Sequence, residues 1–167
     1  MTIPDKLLDN DEIDPIDIVE TLAEHYDWDF DRITDDQIAV AIEAVWKTYG
    51  VTLSWSSIEE ALKLVCSFEM KPPIEKLPNL METLNLVNNK CWTGSFVYSQ
   101  ELNLMVFRYV LNLSGGAITT PVQINSMVEN AVAACEMFYP AFQLTCWGNE
   151  TPQKSLKVVF GKSYGRA

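Results

Sequence analysis

DQIAVAIEAVWKTYGVTLSWSSIEEALKLVCSFEM, residues 36–70, is the stretch that decides the fold. Two periodicities compete in it. Thr34 with Gln37, and Ser57 with Glu60, have capping-box spacing, in which a hydroxyl and an amide or carboxylate three residues on satisfy backbone N–H groups at a helix start. Against them stands alternation of period two, the mark of a strand with one buried face. Ile38, Val40, Ile42, Ala44 and Trp46 fall on one face. Tyr49, Val51, Leu53 and Trp55 do the same after a turn near Gly50. Leu62, Leu64, Cys66, Phe68 and Met70 repeat it, with Lys63, Ser67 and Glu69 opposite. Three successive alternations outweigh two four-residue signals, so the stretch predicts three strands. Their connections are too short for a parallel crossover, so the pairing is antiparallel.

Upstream, Asp14 and Pro15 make a helix start: a carboxylate at the N-cap and a proline at the first helical position. Ile16, Val19, Leu22, Ala23 and Tyr26 follow at helical spacing, and the helix should end near Tyr26. Tyr26, Trp28 and Phe30 then alternate with Asp27, Asp29 and Asp31, which suits a short, half-exposed extended segment. Downstream, Pro72 and Pro73 punctuate, and Leu77, Leu80, Met81, Leu84 and Val87 form an amphipathic helix closed by Asn88 and Asn89. Gly94 opens a hairpin of Ser95–Ser99 and Leu102–Leu113. Thr120, Pro121 and Gln123 start a third helix, with Ile124, Met127, Val128, Ala131, Cys135 and Phe138 as its apolar stripe. Pro140 lacks an N–H and crowds the carbonyl four residues back. It is therefore expected to divide this helix and turn Phe142 back onto the core, with a second piece over 141–147. Thr151 and Pro152 can start a last short helix. The predicted order is α-βββ-α-ββ-α, an α+β fold with a five-stranded antiparallel sheet and helices packed on it.

The chain has 167 residues, 48% of them hydrophobic, which fits one domain over 14–167 behind an acidic, mobile tail at 1–13. Residues 1–36 hold 13 acids and two bases, whereas 37–167 are electrically balanced, so the whole net charge of −11 sits at the start. An acidic start on a neutral body argues against nucleic acid and anionic membrane surfaces, which require a basic footprint. It leaves a solvated tail, or a docking surface for a basic partner. No apolar run reaches the ~18–20 residues of a membrane span, and 1–13 has no leader pattern, so the expected location is the cytoplasm. Cys66, Cys91, Cys135 and Cys146 form no C-x-x-C pair and are expected to be reduced and buried.

The inventory for catalysis is thin. His25 is the one histidine, and it lies between Glu24 and Asp27 at a helix end, where a surface role is the plainer account. Asp27, Asp29 and Asp31 have the spacing that opens a calcium loop, but the sixth position is Arg32 instead of glycine and the twelfth is Ile38 instead of glutamate. No nucleophile elbow, phosphate loop, dinucleotide fingerprint or zinc-protease motif occurs. No catalytic, cofactor or metal residue is assigned. The function expected is non-enzymatic protein binding or regulation. The alternative is a small enzyme or metal-dependent regulator using His25 with Asp27, Asp29 and Asp31.

The last strand is apolar on both sides. Leu102, Leu104, Val106 and Val110 share one face with Arg108 and Asn112, and Met105, Phe107, Tyr109, Leu111 and Leu113 share the other. Either the chain's own helices cover both faces, or another chain covers one. Three helices look too few for two faces of five strands. Met105, Phe107, Tyr109 and Leu111 are therefore the expected protein-binding residues, in a homodimer or against a protein client.

Five short stretches carry a resemblance: Trp28-Asp29-Phe30-Asp31-Arg32, Leu64-Val65-Cys66-Ser67-Phe68, Asn88 through Trp92-Thr93-Gly94-Ser95-Phe96, Phe107-Arg108-Tyr109 and Tyr139-Pro140-Ala141-Phe142. In sequence and spacing they are similar to the YbjN-type family, described as "putative bacterial sensory transduction regulators". The resemblance covers about residues 14–148. It implies a fold like that of type III secretion chaperones, which commonly pair, and a cytosolic role in regulation or protein binding. It brings no catalytic residue.

Overall fold

The computed structural model describes residues 14–164, with side chains placed for 14–161. The expected tail at 1–13 lies outside the described residues. The chain runs α1 (Pro15–His25), β1 (Asp29–Thr34), β2 (Gln37–Glu43), β3 (Thr48–Ser56), β4 (Ala61–Glu69), a 3-10 turn (Ile74–Lys76), α2 (Leu77–Asn88), β5 (Ser95–Ser99), β6 (Leu104–Asn112), α3 (Pro121–Trp147) and α4 (Pro152–Tyr164). The strands form one sheet in the order β1-β2-β3-β4-β6-β5, and every pair is antiparallel.

The three strands predicted over 36–70 are present as β2, β3 and β4. The capping-box residues serve turns instead. Thr34 Oγ1 accepts from the Asp36 N–H at 3.3 Å, and Ser56 Oγ accepts from the Glu59 N–H at 3.3 Å. The same short polar side chains that cap helices also close tight turns, and the flanking alternation decides which they do.

Two expectations are corrected. The sheet has six strands, and the order is α-ββββ-α-ββ-α-α. The extra strand is β1, where Phe30 pairs with Val40 and Arg32 with Ile38. It is an edge strand with five of its six residues exposed, so burial leaves little pattern in it. The second correction is Pro140, which does not divide α3; the helix continues through it to Trp147. Proline removes one helical hydrogen bond and crowds one carbonyl. On both sides of it, Cys135, Phe138, Ala141, Phe142, Thr145 and Cys146 keep one buried stripe, and that continuous burial outweighs the local cost. Phe142 does reach the core, against Phe68 and Phe96, but as part of one long helix.

Helix starts follow the sequence. The Asp14 carboxylate accepts from the Ile16 N–H at 2.8 Å. Thr120 and Gln123 close a reciprocal capping box at 3.1 and 2.8 Å. The core lies between one sheet face and the helices. Ile38, Val40, Tyr49, Val51, Leu53, Leu62, Leu64, Cys66, Phe68, Met105 and Phe107 point into it and are buried. α3 packs on β4 and β6, α1 on β1, β2 and β3, and α2 on β5. A buried hydroxyl group joins the helices: Thr145 Oγ1 lies 2.9 Å from Thr83 Oγ1 of α2 and 3.0 Å from Ser155 Oγ of α4. Arg32 ties the edge strand to α1, bonding Asp17 at 3.0 Å and Glu20 at 2.6 Å. At the opposite edge Asn88 acts like one residue of a missing strand. It accepts from the Phe96 N–H at 2.7 Å and donates to the Phe96 carbonyl at 3.0 Å.

Candidate functional site

Because side chains alternate along a strand, the face opposite the core is defined by the same registers. Two cross-strand rows run through its centre. One reads Asp31, Ala39, Thr52, Val65, Arg108, Ser95; the next reads Asp29, Ala41, Gly50, Ser67, Val106, Val97. None of these residues is buried. In these two rows the side chains are mostly small and uncharged, with acids on β1 and Arg108 on β6; Glu43 and Glu69 lie on the same side in the next row. Lys63 also lies on this side, paired with Glu59 one helical-like turn away in sequence. Over β1–β3 the alanines and Gly50 leave a shallow hollow of about 400 Å³ rimmed by Asp29 and Asp31.

The residues expected to bind a partner lie on the other side. Met105 and Phe107 are 0% and 2% exposed in the core, and Tyr109 and Leu111 are half-buried against it. The physical reason is α3, which lies along β4 and β6 and covers that face within the chain. The exposed apolar residues of the hairpin are instead Val97 and Val110, on the open side, and Leu102 in the β5–β6 turn. The expectation fixed on the larger side chains of β6, and these are the ones that α3 covers within the chain.

His25, Asp27, Asp29 and Asp31 are not brought into one site. The His25 ring sits edge-on to Tyr26 at 4.8 Å. Asp27 occupies the turn after α1 with φ 57°, while Asp29 and Asp31 face outward beside Ala41 and Ala39. Among the described residues no three histidine, cysteine or acidic side chains are grouped to hold a metal ion. The thiols are unsuited to nucleophilic attack. Cys135 and Cys66 lie 3.6 Å apart in the core, and their contact together with burial pushes the Cys135 thiol far up. Burial pushes Cys146 up to about 11 and raises Cys91. All three stay protonated near neutral pH, where the thiol is a poor nucleophile.

Reasoning along the sequence missed a cleft of about 530 Å³ at one end of the sheet, lined by Lys47, Lys71, Glu69, Tyr139, Gln143 and Trp147 among others. It is assembled from the β2–β3 turn, the end of β4, the β5–β6 turn and α3. Antiparallel pairing of the predicted strands places those turns at one end, so the strand order was the signal that could have found it. Glu136 ties α3 to the β2–β3 turn and the start of β3. One carboxylate oxygen accepts from the Tyr49 hydroxyl at 2.7 Å and from the Trp46 N–H at 3.0 Å. Burial, then that hydrogen bond, raises the Tyr49 phenol. Two ammonium groups and two aromatic rings can hold a small anion-bearing group.

The family model for YbjN, described as "Putative bacterial sensory transduction regulator", matches residues 15–144. The chain belongs to the YbjN family. Among solved structures it is similar to YbjN of E. coli, titled a putative transcription regulator, with TM-score 0.55 and 12% identity over 74% of this chain and 87% of that one. At that identity the likeness is one of fold: the YbjN arrangement of an antiparallel sheet and helices. No curated protein matches the sequence. Among the described residues, no helix of this YbjN family member is long and apolar enough to cross a membrane.

Proposed function

We propose that the chain is a non-enzymatic regulatory module of the bacterial cytoplasm that acts by binding protein, chaperone-like in layout, as a homodimer and on a protein client. It uses no cofactor. The observation that supports this reading is the open sheet face: mostly small side chains in register across six strands, with scattered charges, while the helices of the described residues pack on the other side. A surface of that kind suits a broad contact between macromolecules better than a small substrate, which requires a concave site. The family description supports a regulatory role. The proposed contact on the hairpin accordingly moves from Met105 and Phe107 to Val97, Val106, Arg108 and Val110 on the open side.

Affinity capture from the source cell tests it, comparing the wild-type chain with a Val65→Arg, Val106→Arg double variant of unchanged circular dichroism. The reading requires at least one protein retained by the wild type and lost by the variant. Identical retained sets on the two columns, or nothing above bare resin on either, would overturn it.

A further inference from the structure

The cleft at the end of the sheet has fixed walls and unpaired tips. On its β5–β6 side the Met70 N–H donates to the Asn103 carbonyl at 2.9 Å, and the Tyr98 hydroxyl donates to the Met70 carbonyl at 3.0 Å. On its β2–β3 side the Ala44 N–H donates to the Lys47 carbonyl at 2.9 Å, and Glu136 accepts from the Trp46 N–H at 3.0 Å. Tyr139 packs on the Trp46 and Phe68 rings, with centroids 6.1 and 5.4 Å away. The walls are therefore held by bonds that a bound molecule does not have to supply. The side-chain heads are in the opposite state. Among the described residues, those of Lys47, Lys71, Asn103, Gln143 and Trp147 have no hydrogen-bond or ion-pair partner within the chain. Polar groups from four separate elements thus line one space of about 530 Å³, inside the range of about 300–1,000 Å³ for small-molecule sites.

The lining has a charged part and a flat part. Tyr139, Gln143 and Trp147 follow one another at spacings of four residues on one side of α3, so a ring, an amide and a ring form one wall. Trp147 is 46% exposed there. The strand ends add Lys47 and Lys71 against one acid, Glu69. The cleft carries a net positive charge in a chain whose net charge is −11. We propose that it binds a small organic monoanion, a carboxylate carried on a flat apolar body, with Lys47 and Lys71 on the carboxylate and the Tyr139 and Trp147 rings on the body. Two lysines against one glutamate match a single negative charge, and two rings favour a flat partner over a branched one. A phosphate fits less well. α3 ends at Trp147 and turns its negative pole to this end, and the lining residues include no arginine and no helix N-terminus. The proposal goes beyond the protein-binding reading and does not rest on it: no residue of the two rows of the open face lines the cleft.

Two-dimensional NMR of the isotope-labelled full chain tests it. The chain has five tryptophans, and comparison with Trp147→Phe assigns the Trp147 indole signal. Phenylacetate is expected to shift that signal saturably, at about millimolar concentration for so small a probe, and to leave the signals of Trp55 and Trp92 in place. Phenylacetamide, which keeps the ring and loses the charge, and inorganic phosphate, which has no ring, should each bind at least about tenfold more weakly. Lys47→Gln with Lys71→Gln should weaken phenylacetate by the same factor, and arginine at both positions should restore it. Circular dichroism confirms that each variant is folded. A Trp147 signal that phenylacetate does not move overturns the proposal, as does one that moves no more than those of Trp55 and Trp92. An amide or a phosphate that binds as well as the acid overturns it too, and so does a double glutamine variant that binds like the wild type.

Discussion

One sheet carries two surfaces built from alternate residues of the same strands. On β4, Leu62, Leu64, Cys66 and Phe68 are 0–4% exposed under α3, while Lys63, Val65, Ser67 and Glu69 face away from it. On β6, Met105 and Phe107 are sealed, and Val106, Arg108 and Val110 are not. The covered surface is made of large side chains that interlock, including edge-on contacts of Phe96 with Phe107 and Phe142. The open one is made of small, smooth, sparsely charged side chains. The covered surface therefore carries stability, and the open one is free to carry recognition.

The sharpest way to break that division is to delete the same kind of bulk on each side. Phe107→Ala is expected to destabilise by about 3–5 kcal/mol, from lost burial and the cavity left behind. Val106→Ala, one residue away, should change monomer stability by less than about 0.5 kcal/mol. Urea unfolding of both variants, at a concentration where the wild type is monomeric, measures the contrast. Comparable losses would mean that the open face is structural.

Gly94→Ala probes the rim of the covered side. A Cβ there would press on the Phe107 ring and stand 2.7 Å from the Arg108 carbonyl, so a loss of about 1–3 kcal/mol is expected from the overpacking. Thermal melting reads it, and an unchanged midpoint would show that β5 gives way freely at this edge. Thr145→Val sharpens the account of how the helices hold together above the sheet. It removes the hydroxyl that bridges Thr83 and Ser155 while those two keep their bonds to the carbonyls of Asn79 and Thr151. About 1 kcal/mol should be lost. A more stable variant would mean that shape alone, and not the hydroxyl network, fixes α2 and α4 on α3. The smallest effect is expected from deleting residues 2–12, which are rich in acids and poor in apolar groups. Stability should stay within about 0.5 kcal/mol, and a melting temperature lower by many degrees would refute this.

Where the sequence was legible, one side of an element was buried and the other was not. β2, β3 and β4 announce themselves by alternation, α1 by its spacing and its Asp14-Pro15 start, and α3 by Thr120 and Gln123. β1 is legible only as a half-exposed extended segment, from the alternation of Trp28 and Phe30 with Asp29 and Asp31; with five of its six residues exposed it carries too little burial contrast to be counted into the sheet. Pro140 misleads because its cost is local, one hydrogen bond and one crowded carbonyl, whereas the burial of Ala141, Phe142, Thr145 and Cys146 lies beyond the range of a cap or breaker rule. At the candidate site the helices pack on the face with the larger side chains, and α3, 27 residues and about 40 Å long, lies over those of β4 and β6. The cleft beside Lys47, Lys71 and Trp147 is drawn from two turns, the end of β4 and α3, and only the pairing of strands unites them.

The strand order has a consequence in time. β1 to β4 form a meander whose neighbours in sequence are neighbours in space, so its loops close early and at small entropic cost. β6 must then return across α2 and β5 to pair Glu69 with Leu104 and Ala61 with Asn112, and α3 is made later still. As the chain leaves the ribosome, the apolar side of β4, with Leu64 and Cys66, is complete before α3, the helix that shelters it, exists. The interval between those two events is when this protein is most open to non-native association, and its length is set by how quickly residues 70–147 are synthesised.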